Sequence, residues 1–325
     1  MNTKIALLVL AFLVFLSAHT ADAQQPAKVY RIGVLSPRAG IEPRHEVFRQ
    51  RLRELGYVEG QNVVIEWRFW EGKPDRLNEF AAELVRLNVD VIFGDATPTI
   101  QAAKKATTTI PIVMIAAADP AESGLVASLE RPGGNITGLT SVSSALIGKR
   151  LELAKEIIPQ LSRVGVLLDP DYPTVASTWK ETENAASSLG LKLQTLEVRS
   201  ISDFENAFGA ATTTNTQALI HSSHTVIVNG RKRIAELAVK HRLPAVYNDT
   251  QFIDAGGLMS LGADPLDLSR RAADFVGKIL KGAKPADLPM ERPTKFELVI
   301  NTKVAQQIEL PIPQSVLNRA DKVMK

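Results

Sequence analysis

Two kinds of patterning trade places along this chain almost to its C-terminus. Short apolar runs rich in Val, Ile and Leu, at residues 29–35, 63–67, 89–93 and 112–115, read as strands. Between them, about 43–55, 75–87, 99–106 and 121–129 carry apolar residues at helical spacing. In the second of these, Leu77, Phe80, Ala81, Leu84 and Val85 share one face, and Gly56 stops the first. Strands this apolar, each followed by a helix, predict a parallel sheet covered on both faces.

The pattern restarts after Pro132-Gly133-Gly134. Strands at 164–168, 191–196, 218–220 and 245–247 alternate with helices at 174–189, 203–211 and 229–241. Two features recur. Ile110-Pro111-Ile112-Val113 and Leu243-Pro244-Ala245-Val246 each open a late strand, and the glycine-rich stretches 133–139 and 256–261 lead into helices at 145–158 and 266–280. The repetition predicts two doubly wound, Rossmann-like α/β lobes, with the chain crossing between them at each glycine pair. The helix at 266–280 has no second-lobe strand left to follow and is expected to pack back on the first lobe. The expected domains are 24–138 plus 258–292 for lobe one and 139–257 for lobe two. Residues 296–300 and 305–323 would supply a third crossing and a helical cap within 293–325. The connectors are apolar and strand-like rather than rich in Ser and Pro, so a multi-strand hinge is expected instead of a flexible linker.

The first residues bear on compartment. Lys4 precedes an apolar stretch at 5–18, short for a membrane span of about 20 residues, and Ala21-Asp22-Ala23 offers a small-x-small cleavage pattern. A signal peptide over 1–23, cut before Gln24, and a periplasmic location follow as expectations. No Cys follows the apolar run, which excludes a lipid-anchored form.

The chain has 325 residues, 45% hydrophobic and 22% charged, which fits two domains of ordinary globular composition. With no Cys, neither a disulfide scaffold nor a thiolate metal centre can form. A net charge of +3 without a basic run gives no footing for nucleic acid.

Catalytic signatures are absent: there is no G-x-S-x-G, no G-x-x-x-x-G-K, no H-E-x-x-H and no strand-linked G-x-G-x-x-G. No enzyme activity, cofactor or metal is expected. His221-Ser222-Ser223-His224 follows a strand, but two histidines without a nearby carboxylate read better as a polar loop facing a cleft. Open α/β sheets bind ligands beyond strand C-termini. That rule selects Ser36, Asp95, Thr97 and Asp119 in lobe one. It selects Asp169 with Tyr172, Ser222 with Ser223, and Asn248 with Asp249 in lobe two. Thr140, Ser141 and Asp264 lie at the crossings. Such groups orient an amine, carboxylate or hydroxyl, and Tyr172 or Tyr247 could stack on an aromatic body. Thr97-Pro98 and Asp119-Pro120 equally resemble a helix cap with first-turn Pro. Trp67 and Trp179 read as packing, and Trp70 is open between packing and stacking.

Several motifs together carry a family resemblance. They are Phe48-Arg49-Gln50-Arg51-Leu52-Arg53-Glu54-Leu55-Gly56-Tyr57, Val89-Asp90-Val91-Ile92-Phe93, Asp119-Pro120 with Gly124-Leu125-Val126, and the stretch 132–138. Leu310-Pro311-Ile312-Pro313 with Arg319-Ala320-Asp321 closes the series. The chain resembles the ABC-transporter substrate-binding proteins of the TrpX-like group. The resemblance implies a type I periplasmic-binding-protein fold, a small-molecule ligand held between closing lobes, and an ABC permease as partner. Thr97-Pro98 matches the family. The loop Ser36-Pro37-Arg38-Ala39-Gly40 stands where members that bind aromatic amino acids carry an acidic–His–Pro segment. A monomer is expected. The competing classes are an exported enzyme on the same scaffold, disfavoured by the missing nucleophile elbow, and a sensory module presenting its closed form to a receptor.

Overall fold

The computed structural model describes residues 28–115, 120, 121, 123–140 and 143–325. The leader at 1–23, Asp119 and Ser141 lie outside the described residues.

The first lobe runs β1 (Tyr30–Ser36), α1 (Pro43–Glu54), β2 (Val63–Phe69), α2 (Pro74–Arg86), β3 (Val91–Gly94), α3 (Thr97–Ala106), β4 (Ile112–Ile115) and β5 (Ile136–Leu139). Its strands are all parallel, in the order β2-β1-β3-β4-β5. Alternate residues of a strand point to opposite faces. Ile32 and Val34 therefore pack with Phe48 and Leu52 of α1, while Leu35 and Ile92 pack with Leu84 of α2 and Ile100 of α3. The helix expected at 121–129 does not form among its described residues, which make turns and bends. Gly124 sits there at a φ of 67°, and Leu125 N donates back to the Pro120 carbonyl.

The second lobe continues with α4 (Ser143–Ile157), β6 (Arg163–Leu168), α5 (Val175–Ser188), β7 (Lys192–Glu197), α6 (Phe204–Thr213) and β8 (Ala218–His221). Next come α7 (Thr225–Asn229), α8 (Arg231–Lys240), β9 (Val246–Tyr247), α9 (Gln251–Asp254) and β10 (Met259–Ala263). Strands β7-β6-β8 are parallel, and a bridge between Leu219 and Ala245 joins them to β9 and β10.

After β10, α10 (Pro265–Leu280) returns to the first lobe, as its pattern predicts. Leu268, Ala272, Phe275 and Val276 join the core formed by Ile32, Val34 and Phe48. The last segment, β11 (Phe296–Asn301), α11 (Thr302–Gln307), α12 (Gln314–Leu317) and β12 (Lys322–Met324), goes back to the second lobe. There β11 pairs antiparallel with β10 and parallel with β12, and Val304, Ile308 and Val316 pack against Leu151 of α4. Two expectations need correction. Lobe one resumes at Asp264 rather than 258, because Met259–Ala263 pairs with Val246 and Tyr247 in the second sheet. The tail is an integral part of lobe two rather than a separate cap.

Three connections thus cross between the lobes, and they are bonded side by side. Thr140 N donates to the Glu291 carbonyl at 2.9 Å, Glu291 N to the Gly138 carbonyl at 3.0 Å, and Asp264 N to the Lys295 carbonyl at 3.2 Å. The glycine pairs turn the chain before β5 and β10 instead of making the crossings themselves. Gly138 is the glycine a crossing requires: its φ is 132°, and a Cβ there would lie 2.3 Å from the Met114 carbonyl oxygen. No helix among the described residues is long and apolar enough to cross a membrane.

Candidate functional site

Strand order reverses between β1 and β3 in the first sheet and between β6 and β8 in the second. At such points the neighbouring connections leave to opposite faces and open a crevice at the strand C-termini. The two crevices face each other and line a partly open cavity of about 130 Å³. Lobe one contributes Arg38, Arg44, Asp95 and Thr97 to its wall, and lobe two contributes Arg150, Tyr172, His224 and Asn248. Ile115, Leu146 and Leu268 add apolar surface.

On the lobe-one side, Ser36 donates to Asp95 Oδ2 at 3.2 Å, while Asp95 Oδ1 is buried without a partner. His45 caps α1 by accepting the Glu42 amide on Nδ1 at 2.9 Å. Its proton therefore sits on Nε2, 3.9 Å from Asp95 Oδ2. Burial, with the nearby Arg44, lowers the His45 pKa, so it stays neutral and the Asp95 charge is not cancelled by it. Arg38 is 5% exposed, and its Nε and Nη1 have no hydrogen-bond partner. Burial and the like charge of Arg44 lower its pKa.

Side chains from the two lobes meet directly around the cavity. Arg44 Nη2 donates to Asp249 Oδ2 at 2.9 Å, Arg231 to Glu42 at 2.8 Å, and Gln251 to Glu42 at 3.0 Å. Asn229 Nδ2 donates to the Pro37 carbonyl at 3.1 Å. Burial alone would raise the Asp249 carboxyl, but Arg44 and Arg38 outweigh it and hold it below its ordinary range. Glu42 is held low in the same way, by Arg38, Gln251, Arg44 and Arg231 against burial.

On the lobe-two side, Tyr172 and His224 stack at 4.2 Å between centroids and form a flat wall. His224 Nδ1 accepts the Asp169 amide at 2.8 Å, which places its proton on the unpartnered Nε2. Burial pushes His224 down to about 3 and Tyr172 up to about 12, so both rings are uncharged. Arg150 donates its Nε to the Leu261 carbonyl at 2.8 Å, and burial lowers it to about 9, which leaves it protonated at neutral pH. His221 bonds the Ser222 carbonyl and lies tilted against the Phe252 ring, 4.6 Å between centroids, rather than meeting His224 across a metal. No group of three or more His, Asp or Glu among the described residues could hold a metal ion.

Of the residues selected from sequence, Asp95, Thr97, Tyr172, Ser223, Asn248 and Asp249 line the cavity. Ser36 sits behind the wall and supports Asp95; Asp169 and Ser222 serve it through the backbone, Ser222 N bonding Leu167. Thr97 is not the cap of α3: that position is Ala96, and Thr97 occupies the first turn, buried and facing the cavity. Three selections are corrected. Tyr247 is 1% exposed and stacked 4.6 Å from Phe252 in the core, because the two-residue β9 aims it away from the cleft. Asp264 caps α10 by accepting the Leu266 and Asp267 amides. Thr140 does not line the cavity, and its backbone N–H bonds Glu291 at the first crossing. Trp70 packs inside, donating Nε1 to Thr99 at 3.2 Å, and Trp67 and Trp179 also pack. The sequence reading missed Arg38, Arg44 and Arg150, since an isolated arginine resembles any surface charge until its burial is known. The adjacent Pro37, rigid after a strand end, was the available signal for the first.

A hinged pair of doubly wound lobes with a polar cavity at their facing switch points defines a two-lobe solute-binding protein. Residues 39–324 match the family described as ABC transporter substrate binding protein, and the chain belongs to that family. A tyrosine-binding protein of Clostridioides difficile is 25% identical over 279 residues, 86% of this chain and 80% of that protein. A conserved domain protein of Vibrio cholerae superposes with a TM-score of 0.85 at 30% identity, covering 91% of this chain and all of that one. An ABC domain from Streptococcus pneumonia in complex with L-Trp superposes with a TM-score of 0.82 at 28% identity, again over 91% of this chain and 100% of its own.

Proposed function

We propose that this chain is exported to the periplasm, closes its lobes around a small molecule and delivers it to an ABC permease of the inner membrane. The ligand would be an amino acid or a small aromatic compound. The observation that carries this reading is the cavity between the lobes, whose walls come from both and hold buried polar atoms without hydrogen-bond partners at Arg38, Asp95, His224 and Asn248. Such atoms cost about 1–3 kcal/mol each when left unmade, and a ligand that satisfies them recovers that cost only when the lobes are shut. The ligands named for the relatives, tyrosine and tryptophan, support the size and chemistry of this class. No covalent step is required of any residue, and the protein acts as a monomer.

Calorimetry and thermal shift against a broad solute library test the reading. A micromolar ligand, worth about −8.2 kcal/mol, should raise the melting temperature with the logarithm of its excess over Kd. Silence across the library, with unimpaired growth of a deletion strain on every compound, would refute it.

A further inference from the structure

Glu42 lies just before α1, and its carboxylate is divided between the lobes. Oε1 accepts Arg231 Nη2 at 2.8 Å and Oε2 accepts Gln251 Nε2 at 3.0 Å, both donors belonging to lobe two. On its own lobe, the same Oε2 stands 3.7 Å from Arg38 Nε and 3.8 Å from Arg44 Nε. Arg38 and Arg44 line the cavity, whereas Glu42, Arg231 and Gln251 do not. One carboxylate thus faces both the wall that meets a ligand and the lobe that closes over it.

Its place in the fold gives these bonds leverage. Glu42 follows β1, which stands three places from β5 in the sheet order, and β5 leads into the first crossing. At the usual strand spacing that is about 14 Å. The contact therefore sits at the far lip of the cleft, where a small hinge rotation separates the lobes most. Neighbouring contacts mark the same lip. Asn229 donates to the Pro37 carbonyl at 3.1 Å, and a Cβ on Gly72 would lie 3.4 Å from Thr225 Cγ2 across the gap. The Glu42 side chain is 16% exposed and that of Arg231 27%, so water is partly excluded from their bond. A hydrogen bond to a charged group in such a place shifts the closure equilibrium about tenfold.

We propose that Glu42 is a positioning residue: through one carboxylate it orients Arg38 and Arg44 on the wall and fastens lobe two, so that Arg231 and Gln251, outside the cavity, set ligand affinity. The affinity half of this rests on the binding-protein reading above; the closure half does not. A ligand that binds the shut form is weakened by any loss of that form, because its apparent Kd is the intrinsic value divided by the closed fraction. While the closed form is the minor one, a tenfold loss of it appears as a tenfold weaker Kd.

The chain has no Cys, so Gly72→Cys with Thr225→Cys makes a trap whose disulfide forms only when the lip is shut. Its rate of formation in ligand-free protein, at fixed oxidant, reads closure; the strain of Gly72, at a φ of 75°, is common to every background compared. Kd for L-tyrosine and L-tryptophan is measured in parallel on chains without the trap. Arg231→Ala and Gln251→Ala should each slow trapping about tenfold and raise Kd by the same factor, and Arg231→Lys should recover part of both. Glu42→Gln should slow trapping as much but raise Kd further, because Arg38 and Arg44 lose their support as well. Arg233→Ala, whose partners Glu205 and Glu236 belong to its own lobe, should change neither. If Arg231→Ala does not fold, Gln251→Ala carries the test. Unchanged trapping in Arg231→Ala and Gln251→Ala would overturn the proposal, as would equal slowing in Arg233→Ala. Equal factors for trapping and Kd in Glu42→Gln would overturn the positioning of the arginines. Should neither amino acid bind, the trapping rates decide, and silence to all solutes removes the binding reading while the closure result stands.

Discussion

Asp249→Asn tests how the lobes are held together. Arg44 lies on α1 of lobe one and Asp249 follows β9 of lobe two, so their 2.9 Å contact exists only while the cleft is shut. Their side chains are 9% and 20% exposed, which makes the pair a largely buried one. Removing one member of such a pair costs about 3–5 kcal/mol, mostly because the other charge is left buried without compensation. Glu42, 3.8 Å from Arg44 Nε, supplies part of the replacement, which favours the lower end. In the open form Arg44 regains water, so the loss falls on closure and not on folding of either lobe. A closure penalty of about 3 kcal/mol weakens ligand binding roughly 100-fold.

Three measurements read this out together. Calorimetry should show the raised Kd, scattering should show an extended shape at ligand concentrations that compact the unaltered protein, and the ligand-free melting temperature should change little. Combining Asp249→Asn with Arg44→Gln removes the stranded cation, and the double variant should bind better than the two single losses summed would allow. An unchanged Kd in Asp249→Asn, or strictly additive losses, would show that the pair contributes nothing to closure.

Other expectations follow from the same geometry. Thr97→Ala should weaken binding about fivefold, the worth of one ordinary hydrogen bond, while melting moves by only a few degrees, since Thr97 caps nothing; a collapse of stability with affinity intact would refute its assignment to the cavity wall. Acidification should destabilise the fold. Burial holds His221 at about 4 against an ordinary 6.5, so the unfolded chain binds protons first and stability, full above pH 6.5, is lost as pH falls toward 4. The loss is about 3 kcal/mol from His221 alone, and a melting temperature flat from pH 7 to 4.5 would contradict it. Gly262→Ala places a Cβ 1.9 Å from the backbone oxygen of Asn248, and should cost about 3 kcal/mol and weaken binding through that cavity residue. Gly209→Ala, with nothing within 4 Å inside α6, should instead gain about 0.5–1 kcal/mol by chemical denaturation.

Much of the fold is legible in the chain because its signals are local. Apolar runs such as Val91–Gly94 can be read as strands buried on both faces, and the stripe Leu77, Ala81 and Leu84 as a helix on a sheet, without knowing any partner. The return of α10 to the first lobe is legible too, by the absence of a second-lobe strand ahead of it. Thr97, Asp95 and Tyr172 were reachable because ligands gather at strand ends, a rule that needs only the order of elements. What the chain alone could not decide depends on contacts between residues far apart in sequence. Whether Met259–Ala263 closes one sheet or opens the other is settled by its pairing with Val246 and with Phe296–Ile300. Whether Tyr247 faces ligand or core is settled by the Phe252 ring 4.6 Å away. The arginines are the clearest instance: Arg38, Arg44 and Arg150 look alike as letters, and only the tertiary structure distinguishes the one hydrogen-bonded to Asp249 from the one whose Nε and Nη1 are buried without a hydrogen bond. Charge is a local property, but its compensation in a dry cavity is a tertiary one, and there the function is decided.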